Sequence, residues 1–472
     1  MKYLFKCLKV SFGVLLFSSS QGWAGEVLSL AGGTLGLEWV IPFGGLLLSI
    51  ALMPLLRPHF WHHHYGKVGM IWALSTAILL GKNFGLLTMV ESLGLTLIHH
   101  YMPFMMMIGA LYIIAGGIRL DIQASSTPIL NTSILGIGAL FASLIGTTGA
   151  SMLLIQPFLT LNKERQFRRH LVVFFIILVC NVGGALSPIG DPPLLIGFLK
   201  GVPFLWPLIH LFKPFLLILS SVLVIFYVVD RRLLAQEGRS LRKITTAKFS
   251  LHGYDNVVLL GLAISCLFLS ELTYFKSSLR LFGMTFSQGD LMRDLGLLGL
   301  AFISLKFCRQ NARIENQFTW EPLKEVALLF GAIFITVEPV LAMLKAGKEG
   351  AFSGLYQFLV DSQGQPLNNS YFWLTGFLSS FLDNAPTYLI FFNLAGGDVT
   401  TLTTELSSTL MAISAGAVFM GALTYIGNAP NFMVKSIAET NSIEMPNFFS
   451  YTFWVSLILL PLFVVISFVF FS

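Results

Sequence analysis

A chain of 472 residues that is 55% hydrophobic and only 11% charged, with 43 phenylalanines, has more apolar surface than a soluble domain can hide. Its formal net charge of +6 would suit nucleic acid in a soluble protein, but in so apolar a chain it fits lysine and arginine gathered in cytoplasmic loops, and no nucleic-acid partner is expected. Cys7, Cys180, Cys266 and Cys308 stand far apart with no metal-ligand spacing, which argues against a zinc site or a disulfide framework.

Residues 1–24 have the form of a cleavable signal peptide. Lys2, Lys6 and Lys9 precede an apolar stretch at 10–17, and Gly22-Trp23-Ala24 supplies the small-x-small ending. The alternative, an uncleaved first helix, is disfavoured because the apolar core is shorter than the roughly 20 residues needed to span a bilayer. Apolar runs of spanning length then follow near 37–56, 68–88, 101–118, 170–199, 214–229, 255–272, 291–306, 323–342, 407–434 and 449–470. Two further apolar segments, 131–161 and 371–396, are interrupted in the middle.

If both interrupted segments are re-entrant hairpins, 18 basic residues lie inside and eight outside, with three more in the leader, as the positive-inside rule requires. With full crossings the basic loop 163–169 would be translocated. The predicted fold is therefore an all-α polytopic membrane protein: about ten transmembrane helices and two re-entrant hairpins, in two inverted repeats with broken helices. The repeats are expected at 25–230 and 255–472, joined by a basic cytoplasmic linker at 231–254. A multi-pass protein of a bacterial inner (plasma) membrane is the expected setting.

The halves echo each other about 237 positions apart, on residues that membrane helices avoid. Gly184-Ala185-Leu186-Ser187-Pro188-Ile189-Gly190-Asp191-Pro192-Pro193 returns as Gly421-Ala422-Leu423-Thr424-Tyr425-Ile426-Gly427-Asn428-Ala429-Pro430. Upstream, the segment 143–153 lines up with 379–389, which sets Thr147 against Asp383. Non-helical backbone at membrane depth survives where it is buried in protein or lines a cavity, and paired breaks in two halves mark the site of a secondary transporter. Candidate ion or substrate ligands are Asn181, Ser187 and Asp191 in the first break, with Thr424 and Asn428 in the second. Thr147, Thr148 and Ser151 at one hairpin tip and Asp383, Asn384 and Thr387 at the other complete the set.

Asp191 and Asp383 are ionisable groups inside the membrane, which are costly unless paired or hydrated and so point to function. Capping of a half-helix N-terminus is the structural alternative for each. With no lysine or arginine near the break centres, two carboxylates suit a cation with oxygen ligands, and a sodium site at Asp191, Asp383 and Asn384 is expected. Elsewhere, His62-His63-His64 is expected to be a solvated interfacial loop rather than a pH sensor, and Glu338 an interfacial residue or a further proton carrier.

The tip Gly146-Thr147-Thr148-Gly149-Ala150-Ser151, the segment Asn181-Val182-Gly183-Gly184 with Ser187-Pro188-Ile189-Gly190-Asp191-Pro192-Pro193, and Leu382-Asp383-Asn384-Ala385-Pro386-Thr387 resemble the ion transporter superfamily, in its NhaD-type sodium/proton antiporter and citrate transport branch. The resemblance covers nearly the whole mature chain. It implies an alternating-access carrier of elevator or rocking type, with Asp191, Asp383 and Asn384 at the ion site, and a homodimer. The uncharged first tip departs from NhaD-type antiporters, which often carry acidic residues there.

The leading expectation is sodium/proton antiport, with Na⁺ and H⁺ as the transported species and no cofactor. The alternative is sodium-coupled uptake of citrate or another dicarboxylate. An intramembrane aspartyl protease is set aside, because Pro188 stands where its Gly-x-Gly-Asp signature needs the first glycine, and an enzyme is not expected.

Overall fold

The computed structural model describes residues 32–237, 248–272, 277–281, 284–308, 311–316, 318–346 and 350–472. The expected leader and residues 238–247 of the expected linker lie outside them. Among the described residues seven helices are long and apolar enough to cross a membrane, and further apolar helices are shorter or interrupted, so the protein is an all-α polytopic membrane protein. The only strands among them form two short antiparallel pairs that the apolar pattern did not predict, Arg119–Gln123 with Lys248–His252 and Ser278–Leu281 with Met284–Ser287.

The chain forms two compact units. The first comprises the described residues within 32–110, 263–300 and 319–357. Its centre is a packed trio, Ile41–Leu56, Pro58–Phe84 and Glu321–Lys345. Between apolar helices in lipid there is little hydrophobic drive, so small residues and close van der Waals contact carry the packing. Gly69 shows this: a Cβ placed there would lie 3.2 Å from the Ala332 methyl. Phe104 stacks on Phe330 at 4.6 Å between ring centres, and the Tyr101 hydroxyl donates to the Ala327 carbonyl at 2.9 Å.

The histidine run is not a loop. Pro58 starts the helix with its φ already set, and His59 and His63 one turn apart bring their ring centres to 4.6 Å. Phe60 and His64 do the same, and His63 and His64 each use Nδ1 on the carbonyl four residues back.

The second unit comprises the described residues within 111–262, 301–318 and 358–472. Both interrupted segments are helix pairs folded back on themselves, Pro128–Ile145 with Thr147–Leu161 and Asn368–Phe381 with Asn384–Leu394. Gly146 makes the first turn at φ +82, a conformation that L side chains rarely adopt. Two helices break at matching places. One runs Arg169–Leu178, a 3-10 turn Val182–Leu186, then Pro192–Leu199; the other runs Ser407–Met420, a 3-10 turn Gly421–Leu423, then Ala429–Thr440. Prolines in the first turn of each downstream half-helix stop the helix from continuing backwards, since proline has no N–H to give.

Candidate functional site

Each break is held by the same hydrogen bonds. The Ser187 hydroxyl donates to the Ser143 carbonyl and the Thr424 hydroxyl to the Ser380 carbonyl, both across 44 residues. Ser143 Oγ in turn donates to Gly183 O at 2.5 Å, and Ser380 Oγ to Met420 O at 3.0 Å, both across 40 residues. The amides of Ile189 and Ile426 donate to Ser187 Oγ and Thr424 Oγ1, each at 3.2 Å. Glycine is required where the turns close: a Cβ on Gly190 would lie 2.2 Å from Gly184 O, and one on Gly427 would lie 2.6 Å from Gly421 O.

These equivalences fix the register between the halves and correct one expected pairing. Ser143 matches Ser380, so Thr147 matches Asn384 and Gly146 matches Asp383. Thr147 and Asn384 are the first residues of their half-helices, and Gly146 and Asp383 are the caps before them.

Asp191 is the centre of the arrangement. It is the N-cap of Pro192–Leu199 and 1% exposed, yet its side chain makes no cap bond to its own helix. Its carboxylate faces three neutral donors instead. Thr147 Oγ1 reaches Oδ1 at 3.0 Å, Asn428 Nδ2 reaches Oδ1 at 2.9 Å, and Asn384 Nδ2 reaches Oδ2 at 2.5 Å. Asn428 is the N-cap of Ala429–Thr440. Four half-helix N-termini, two from hairpins and two from breaks, therefore each place a residue at one carboxylate. The partial positive charge of such termini favours an anion at that point. The Thr147 amide also donates to Gly190 O at 2.8 Å, tying the first tip to the first break.

Asp383 has the other role. It caps its own helix, with Oδ1 accepting the Ala385 amide at 3.5 Å, and its carbonyl accepts the Thr387 hydroxyl at 3.1 Å. Asn181 sits in the first break and donates Nδ2 to Asn431 Oδ1 and to Ile176 O, both at 2.8 Å. Asn431 bridges onward to Gly421 O and Thr424 O at 3.0 and 2.9 Å. Ser151 is buried one turn into the first tip helix and meets Cys180 Sγ at 3.1 Å, while Thr148 is half-buried beside Thr147. The geometry thus gathers Asp191, Thr147, Asn384 and Asn428 in direct contact and puts Ser187, Thr424 and Thr387 into the scaffold around them.

Two amide oxygens, Asn384 Oδ1 and Asn181 Oδ1, are buried and have no partner among the described residues. A buried acceptor left empty costs about 1–3 kcal/mol, so hard oxygens at such places are natural ligands for a cation without its water.

Sequence reasoning missed a second polar cluster in this unit. The Arg165 guanidinium lies fully buried between Asp230, at 2.8 Å, and Glu237, at 3.0 Å. His170 Nε2 is 2.9 Å from Asp230 Oδ1, and Asn131 Nδ2 donates to Asp230 Oδ2 at 3.0 Å. Asn131 and Asn162 exchange two bonds, of 3.0 and 2.9 Å, and Ser126 donates to Asn162 Oδ1 at 2.6 Å. The one signal available was Asp230 closing a long apolar run just before Arg231-Arg232, which reads as an ordinary interfacial end.

Broken helices and folded hairpins gathered around a buried carboxylate, in a polytopic membrane protein, define a secondary transporter. The sequence model of the family described as "Putative citrate transport" matches residues 32–471, and the chain belongs to that family. A search of curated proteins gave no match.

Proposed function

We propose that the protein is a sodium/proton antiporter in which Asp191 is neutralised alternately by a proton and by Na⁺. The observation that carries this reading is a buried carboxylate whose hydrogen-bonding partners are all neutral, beside the unfilled oxygen of Asn384. A bare charge at membrane depth costs several kcal/mol, so the site favours states in which something positive sits on Asp191. Proton and Na⁺ cannot share that position, and exclusive occupancy couples the two fluxes. The motif resemblance to NhaD-type antiporters supports the same reading.

The reading is tested in everted vesicles by the dissipation of an imposed proton gradient on adding Na⁺. Competition for one carboxylate makes the apparent Na⁺ affinity rise about tenfold per pH unit wherever Asp191 is mainly protonated, and level off once it is ionised. An affinity independent of pH across the active range would exclude a shared carboxylate.

A second reading, sodium-coupled uptake of citrate or another dicarboxylate, is favoured by the family description and by the four converging helix N-termini, which suit anionic oxygens. Labelled citrate uptake into proteoliposomes under a sodium gradient separates it from antiport. Under this reading Asp191 holds the driving ion and the N-termini around it hold the carboxylates.

A further inference from the structure

The second unit carries an open crevice of about 860 Å³, formed by the start of Arg169–Leu178, the later turns of Trp206–Glu237, the loop at Ser442, and the first turns of Phe448–Phe470. Its walls are mostly apolar, with Val173, Phe174, Val229, Leu233, Trp454 and Leu457 among them. Trp454 and Leu457 are 59% and 54% exposed, as side chains turned towards acyl chains are.

The polar lining is of one predominant sign. Arg168 meets only a backbone acceptor, Ser442 O at 3.3 Å, and has no carboxylate within ion-pair distance among the described residues. Arg169 donates to Glu444 O at 2.6 Å and meets the Glu444 carboxylate at 3.3 Å, but their side chains are 58% and 93% exposed, and so open a pair is worth little. His170 also lines the crevice; its ring is nine-tenths buried, Nε2 is taken by Asp230, and Nδ1 has no partner among the described residues. Two guanidiniums against one solvated carboxylate, above an apolar trough in a membrane protein, match a molecule with an anionic head and hydrocarbon chains. Arginine suits a phosphate in particular, since its planar fork can donate two parallel hydrogen bonds.

We propose that this crevice is a binding site for an anionic glycerophospholipid, with the phosphate held by Arg168 and Arg169 and an acyl chain laid along Phe174, Val229 and Trp454. The site is separate from the Asp191 carboxylate and independent of which ion or anion is carried. Its position against the Arg165–Asp230–Glu237 cluster, through Phe167, whose amide donates to Glu237 Oε1 at 3.1 Å, would let the bound lipid brace the loop between the first hairpin and the first broken helix.

The test uses the full chain in phosphatidylcholine nanodiscs doped with brominated phosphatidylglycerol, which quenches nearby tryptophans. Subtracting the signal of Trp454→Phe isolates Trp454. Half-quenching should need roughly fivefold more lipid in R168Q and about 25-fold more in R168Q/R169Q, from ~1 kcal/mol per basic residue at the membrane surface. V229F keeps both arginines and fills the trough without adding a tryptophan, so it should remove the saturable quenching; it also serves if the double variant does not fold. Brominated phosphatidylcholine quenching Trp454 at the same mole fraction would overturn the proposal. So would an unchanged titration in R168Q, or inorganic phosphate displacing the lipid at millimolar concentration, since a site that needs no acyl chain is not a lipid site.

Discussion

The two breaks in the second unit have one backbone and two chemistries. Asp191 and Asn428, 237 positions apart, both cap a half-helix in extended conformation, with φ and ψ of −147 and 144 in one and −152 and 138 in the other. The hydroxyl at Ser187 or Thr424 closes each turn on an equivalent carbonyl, and a glycine closes each on another. Yet one cap is a carboxyl group facing three donors and the other is an amide that supplies one of them. The repeated backbone builds the interruption; the carboxyl group of Asp191 is what sets one break apart from the other. The same division separates the two aspartates, since the Asp191 side chain leaves its own helix uncapped and that of Asp383 caps its helix.

The comparison is tested most severely by Asp191→Asn. An amide of the same shape keeps the fold but cannot be neutralised by a proton or a cation, so coupled flux in proteoliposomes should fall about 100-fold. Asp383→Asn should keep more than half of the flux, because asparagine caps a helix about as well as aspartate. Equal losses in the two variants would give both carboxylates the same role and end the distinction.

The glycines come next. Gly190→Ala forces a methyl into the Gly184 carbonyl and should destabilise the protein by about 3 kcal/mol, with Gly427→Ala somewhat milder because its contact is longer. Thermal unfolding in detergent checks both the loss and the order. Removing one donor from Asp191 is a smaller change: Asn384→Ala and Asn428→Ala should each shift the apparent Na⁺ affinity by about tenfold, from ~1.5 kcal/mol, the lower end for a hydrogen bond to a charged group. The mildest and most symmetrical effect is expected for Ser187→Ala and Thr424→Val, each losing about 1 kcal/mol of stability with Na⁺ affinity little changed. A large inequality between those two would mean that the breaks share geometry without sharing mechanics.

Much of this was legible in the sequence because glycine, proline and aspartate are conspicuous in apolar runs. The two breaks, the two hairpin turns and the outstanding residue Asp191 all announce themselves in that way. Register was harder to read. The serine doublet Ser379-Ser380 lets the second hairpin align with Ser143 in either of two ways, and only the bonds of Ser380 to Met420 and of Thr424 to Ser380 select the second. That one-residue shift separates a pairing of Thr147 with Asp383 from the observed match with Asn384, and with it the role of each.

Other features were hidden for a different reason. His59, His63 and their neighbours look polar enough for a loop, but polarity alone does not end a helix that begins at a proline and stacks its rings one turn apart. Arg165, Asp230, Glu237 and Asn131 stand far apart in the chain at the ends of their segments, where charged residues are ordinary. No periodicity joins them; packing does.

Arg165 has a consequence in time as well as in space. Loop charges bias the orientation of a membrane protein while its segments are being inserted, before distant helices have packed. The Arg165 guanidinium is available for that sorting until the helix ending in Asp230 and Glu237 is made, some 65 to 72 residues later. Afterwards it is sealed between two carboxylates, so a charge open to that sorting during synthesis ends as a rivet.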